Sequence, residues 1–65
     1  MTFGAALKAY RLDKKQWTLR EMAKATGFPE GTLHRIEQGK VQPHELTQSK
    51  IKNRLHDFEW QAQPA

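Results

Sequence analysis

Three consecutive residues near the middle of the chain, Gly27-Phe28-Pro29, restrict its fold more than any others. Glycine takes the left-handed conformation that ends a helix without a Cβ clash, and proline brings a locked φ and no N–H, which suits the first position of a new helix. Two helices therefore have to meet across a very short turn. The upstream boundary is marked too. In Thr18-Leu19-Arg20-Glu21 the Thr18 hydroxyl can accept from the Glu21 amide while the Glu21 carboxylate returns to the Thr18 amide, which is a capping box. Trp17 and Met22 occupy the two positions of a hydrophobic staple. The helix that starts there ends at Gly27. The next runs from Pro29 to Gln38 on an inward stripe of Leu33 and Ile36, Gly39 closes it, and Lys40 to Pro43 form a turn.

The flanking segments also read as helices. Phe3, Leu7 and Tyr10 fall at i, i+4 and i+7, which predicts a first helix from Phe3 to Asp13 with Thr2 as its N-cap. Lys14, Lys15 and Gln16 carry no apolar anchor and read as a solvated loop. Beyond Pro43, the residues Leu46, Ile51, Leu55 and Phe58 are spaced roughly as one face of a fourth helix, whole or broken in two, and Trp60 follows. Gln61 to Ala65 has the polar composition of a frayed tail. No stretch alternates with the period of a strand, so the expected class is all-α, with four to five short helices in one domain over residues 1–60 and a tail over 61–65.

Composition narrows the function classes. At 65 residues there is one core at most, and domains this small recover only about 60% of their unfolded surface, so a partner subunit would add usefully to stability. The absence of cysteine removes disulfides and thiolate metal sites and fits a reducing compartment, so helix packing must hold the fold. No apolar run approaches a bilayer span, and Met1 to Tyr10 lacks the basic-then-apolar order of a secretory signal, so the expected location is cytoplasmic, with no membrane partner. Eleven Lys and Arg against seven Asp and Glu give a net charge of +4, which attracts polyanions. Catalysis finds no support. Ser49 is isolated in a helix-like segment, and no phosphate loop or nucleophile elbow can be assembled. His34, His44 and His56 are too widely spaced for a helical metal pair. No cofactor or small-molecule ligand is expected.

The continuous run from Thr18 to Lys40, TLREMAKATGFPEGTLHRIEQGK, resembles the helix-turn-helix of the lambda-type repressor and Cro family, also called the XRE family, and Pro43 sits where that family usually has a proline. The small Ala23 suits a helix crossing, Gly27 supplies the turn, and Leu33 and Ile36 fill the space beneath the second helix of the pair. The resemblance implies a lambda-repressor-like domain that places Glu30, Gly31, Thr32, His34 and Arg35 against double-stranded DNA. Most of the outward residues can hydrogen-bond with base edges. Arg35 is the strongest candidate, because its planar fork matches guanine O6 and N7. His34 suits a base or a phosphate, and Glu30 contributes only where it accepts from cytosine N4.

Thr18, Arg20, Gln38, Lys40, Gln42 and His44 are the candidate phosphate ligands on the rims of the groove. Lys14, Lys15 and Lys24 read as a general basic surface. Two positions depart from the family. Gly31 replaces the usual polar residue, so that either the backbone approaches DNA closely or fewer bases are read. Leu19 replaces a common Gln that touches phosphate, a contact that Arg20 or the helix amides would have to take over. Arg11 and Glu37 stand where the family often has a partly buried ion pair, although the loop after Arg11 is one residue longer than usual.

By resemblance the chain is expected to be a transcriptional repressor of the phage or prophage type. It would act as a homodimer on a partly palindromic operator with half-sites roughly 34 Å apart. Leu55, Phe58 and Trp60 either form the dimer surface or finish the core. The alternative from another class is an antitoxin or adaptor module that uses the same fold mainly to bind protein.

Overall fold

The computed structural model describes residues 2–60; the tail expected at 61–65 lies outside the described residues. The chain forms α1 (Phe3–Ala9), prolonged by a π-helical segment (Tyr10–Lys15), then α2 (Leu19–Thr26), α3 (Glu30–Glu37) and α4 (Glu45–Arg54). Among the described residues there is no strand, and the fold is all-α as expected.

Thr2 caps α1, its hydroxyl accepting from the Ala5 amide at 3.1 Å. Phe3, Leu7 and Tyr10 are buried together with Ala6. Between them Gly4 is buried too, because the α1 backbone lies against the end of α3: a Cβ at Gly4 would stand 2.0 Å from the Ile36 carbonyl oxygen. No other residue type permits this approach.

The first helix does not stop at Asp13. It widens into the π-helical segment, and the Gln16 and Trp17 amides both turn back to the Arg11 carbonyl, Trp17 at 2.9 Å. Gln16 ends it at φ 56°, in the left-handed region. A π-turn takes up one more residue than an α-turn, so the extra residue after Arg11 is absorbed inside the helix instead of lengthening a loop. Lys14 and Lys15 are accordingly not a solvated loop. Their anchor is electrostatic and distant in sequence: Lys15 Nζ lies 2.7 Å from the Asp57 carboxylate and Lys14 Nζ donates to the Asp57 carbonyl at 2.8 Å.

The capping box at α2 is present in both directions, Glu21 N–H to Thr18 Oγ1 at 3.1 Å and Thr18 N–H to Glu21 Oε1 at 2.9 Å. Gly27 ends the helix at φ 79°. Pro29 is not the first helical residue of α3. Its φ of −61° is helical but its ψ of 147° is extended, so it flanks the helix, and its carbonyl accepts the Leu33 amide at 3.1 Å. The other end of α3 closes at Gln38, with Gly39 at φ 78°. Lys40 N–H reaches Arg35 O at 3.0 Å and Gly39 N–H reaches Ile36 O at 3.1 Å, the two hydrogen bonds of a Schellman motif.

The fourth apolar stripe divides differently from the expectation. Leu46 is 77% exposed while Ile51 is fully buried: five residues rotate a helix by about 140°, so the two cannot share a face. The helix ends at Arg54, Leu55 leaves it with ψ 85°, and a turn closed by Phe58 N–H to Leu55 O at 3.0 Å carries Phe58 back into the core. Phe58 meets Phe3 and Tyr10 edge to face, at centroid distances of 5.7 and 5.1 Å. Such pairs add to the stabilisation that area burial gives. Leu7, Met22, Leu33, Ile36 and Ile51 fill the centre.

Asp57 fastens this last turn to the first helix. It pairs with Lys15 and accepts from the Tyr10 hydroxyl, and these two interactions lower its pKa to about 2. Burial, followed by the carboxylate of Asp57, pushes Tyr10 up.

Two outcomes are expected. Gly4→Ala should lower the stability measured by denaturant unfolding by at least about 2 kcal/mol, because an added methyl has to displace backbone. The folded pKa of Asp57 lies below its unfolded value near 3.9, so its contribution is complete above about pH 4 and is lost as pH falls through about 2. The difference in melting temperature between wild type and Asp57→Asn should therefore shrink across that window; a constant difference would contradict the assignment.

Candidate nucleic-acid interface

α3 has two unlike faces. Leu33, Ile36 and Glu37 are buried beneath it, whereas Glu30, Gly31, His34, Arg35 and Gln38 are exposed and Thr32 is half-buried. The helical repeat places Gly31, Arg35 and Gln38 at i, i+4 and i+7, along the middle of the exposed face. His34 and Glu30 border it on one side and Thr32 on the other. Among the described residues, no helix covers Arg35 or His34.

The turn that presents this helix is held from inside. Thr26, buried within the fold, donates its hydroxyl to Met22 O at 2.9 Å and accepts from the Phe28 amide at 3.3 Å, while Gly27 N–H reaches Ala23 O at 2.8 Å. One side chain thus satisfies the backbone on both sides of the glycine. Sequence reasoning missed Thr26; its signal was a threonine at the last position before a glycine turn, where a hydroxyl can bond to the preceding turn of helix.

The far end of α3 is fixed by an ion pair. Arg11 Nε and a terminal nitrogen donate to the two Glu37 carboxylate oxygens, both at 2.9 Å, and the remaining terminal nitrogen donates to the Trp17 carbonyl at 2.9 Å. The side chains are 11% and 2% exposed. The Glu37 hydrogen bonds raise the Arg11 pKa, so the guanidinium stays charged. The contact to Trp17 was not read from the sequence, since only the fold brings that carbonyl to the same guanidinium.

Thr18 and Arg20 are exposed at the start of α2, and Lys40, Gln42 and His44 are exposed in the segment between α3 and α4. Thr18 accepts from Glu21 through its oxygen, which leaves the hydroxyl proton available to donate. Leu19 is half-buried against the core, so that position serves packing. Lys14 and Lys15 are engaged by Asp57, unlike Lys24, which is exposed. Leu55 and Phe58 are buried at 2% and 6% exposure; as they complete the core of a single chain, they do not form a free surface for a second copy. Trp60 is half-buried and packs edge to face on Phe3 at 5.1 Å.

The family model described as a helix-turn-helix domain matches residues 2–51. The chain belongs to the XRE-type helix-turn-helix family. Its similar proteins include uncharacterised HTH-type transcriptional regulators of Mycobacterium bovis and Mycobacterium tuberculosis, each 38% identical over 52 residues. The match covers 80% of this chain and 20% of theirs, so the chain spans about a fifth of the length of those relatives. No solved structure matches it at a significant level. Within this helix-turn-helix domain, α2 is the first helix of the motif and α3 the second, and Arg11 and Glu37 fasten the second to the helix that precedes the motif.

Removing either partner of that pair leaves a buried charge unmatched. Glu37→Ala and Arg11→Ala should each cost about 3 to 5 kcal/mol in denaturant unfolding, and replacing both by methionine should cost much less than the sum of the two. Additive losses would mean that the two residues act independently.

Proposed function

We propose that the chain binds double-stranded DNA by laying the exposed face of α3 in the major groove, and that it regulates transcription by doing so. The observation that carries the reading is the pairing of two features on one short helix. Its polar face is open to solvent, and its underside is locked by Leu33, Ile36 and the Arg11–Glu37 pair. A reading helix needs both, because base discrimination depends on side chains held in a fixed register against donors and acceptors.

Arg35 reads guanine in this scheme, Glu30 accepts from cytosine N4, and His34 and Thr32 contact the flanking positions. Thr18 and Arg20 on one rim, with Gln38, Lys40, Gln42 and His44 on the other, hold phosphates and set the register. The names of the mycobacterial relatives support a regulatory role. Repression, the phage-type setting and a cytoplasmic location rest on the family resemblance.

A homodimer on a partly palindromic site would extend the reading over two half-sites. Because Leu55 and Phe58 are taken up in the core, the apolar surface left for it includes Val41 and Leu46, 46% and 77% exposed. The adaptor reading has one observation in its favour: Leu19 faces the core and not a phosphate.

Fluorescence anisotropy with duplexes selected from a random pool tests the roles. Arg35→Ala should cost about 1 to 3 kcal/mol on the selected sequence and relax its preference, whereas Lys40→Ala should weaken all sequences alike and reduce the salt slope by about one. Indifference of binding to sequence and to salt would leave the adaptor reading standing.

A further inference from the structure

Three of the four glycines are accounted for by the fold. Gly27 and Gly39 have φ of 79° and 78°, and a Cβ at Gly4 would collide with the Ile36 carbonyl. Gly31 has neither reason. Its φ is not positive, and a Cβ built on it meets nothing within 4 Å. It stands in the first turn of a helix, where glycine is among the poorest formers and alanine would hold the backbone better. The chain therefore carries at Gly31 a residue that weakens α3 and that nothing among the described residues requires.

Position 31 is also the middle of the exposed face, one turn before Arg35 and two before Gln38. Side chains in a helix lean toward its N-terminus, so Arg35 extends over the surface that a residue at 31 would otherwise occupy. We infer that Gly31 is a specificity-determining residue. By presenting bare backbone, it lets the first turn of α3 sit against the base edges at a separation that a Cβ would prevent, and it leaves Arg35 an unobstructed path to its base. Glycine is the residue found where a backbone must approach a ligand closely. The other possible meaning of a glycine here, a position that reads nothing, makes the opposite prediction: a side chain added there would be neutral or would gain a contact.

The inference rests on the proposal that α3 is the DNA-reading helix, and the test separates the two. The full chain and its Gly31→Ala, Gly31→Gln and Arg35→Ala variants are compared on one duplex selected from a random pool by the wild type, with melting temperatures recorded in parallel. Gly31→Ala should melt at a higher temperature than wild type and yet bind at least about tenfold more weakly, a loss of roughly 1.4 kcal/mol. Gly31→Gln should be weaker still. A more stable fold that binds less well has no explanation in a purely structural role. If Arg35→Ala weakens binding while Gly31→Ala and Gly31→Gln bind as well as wild type or better, close approach at Gly31 is wrong and α3 remains the reading helix. If neither the Arg35 nor the Gly31 variants change binding, or if wild type selects no duplex, the DNA-reading role of α3 fails and the inference fails with it.

Discussion

One guanidinium governs the geometry on which everything else depends. Arg11 lies in the π-helical continuation of α1, and its donors reach the last residue of α3 and the carbonyl of Trp17, just before α2. Three segments of the chain are thereby tied to a single planar group, whose fixed fork tolerates little change in their relative angles. An isolated helix as short as α3, Glu30–Glu37, has almost no tendency to form in water. Its orientation therefore comes from the contacts that hold its ends and underside: Thr26 at the turn, Leu33 and Ile36 below, and Arg11 at Glu37. The π-helical turn belongs to this arrangement, because it takes up an extra residue after Arg11 while Arg11 itself stays on the helix. Loss of the pair would remove the polar fastening at the C-terminal end of α3 and leave Leu33, Ile36 and the Gly4 contact to hold it.

Features of the chain that depend on neighbours in sequence were mostly legible, whereas among those that depend on neighbours in space the Arg11–Glu37 pair was reached through the family resemblance and most others were not. The capping box, the left-handed glycines 27 and 39 and the stripe of α1 are local chemistry: the residues involved lie within about two turns of one another. Most of the failures share a cause. Lys14 and Lys15 look unanchored in sequence because their partner, Asp57, lies at the other end of the chain. Leu55 and Phe58 left a dimer surface and a finished core both open, because a helical reading hides the turn that folds Phe58 back onto Phe3 and Tyr10. Gly4 is inconspicuous as a glycine within a helix, since the Ile36 carbonyl that demands it belongs to a distant segment. Pro29 obeys its φ but not the helical position expected for it, because proline constrains φ and leaves ψ free to turn extended. The exposed face of α3 was legible for a simpler reason: with Leu33 and Ile36 fixed as the inward pair, the helical period dictates which residues point away.

The distribution of charge obeys the same division between inside and outside. The net charge of +4 is a property of the whole chain, yet the basic residues fall into two kinds. Arg11, Lys14 and Lys15 have carboxylate partners within the fold, whereas no ion pair among the described residues involves Arg20, Arg35 or Lys40. The first group is neutralised locally and holds helices together. The second stands on α2, on α3 and just beyond its end, so the helix-turn-helix contributes part of the field that a polyanion meets, alongside Lys8 on α1 and Lys50, Lys52 and Arg54 on α4.

Rigidity depends on where Asp57 acts. It is fastened to Tyr10 and Lys15, and Arg11, which holds α3, is the very next residue after Tyr10. The last described turn of the chain and the exposed helix are thus attached to the same π-helical segment. In a domain with so small a core, the residues that stabilise the fold and those that aim its exposed helix are largely the same residues. That overlap explains why the segment from Tyr10 to Lys15 is built largely from side chains with partners elsewhere in the chain, while the α3 face is left free of them.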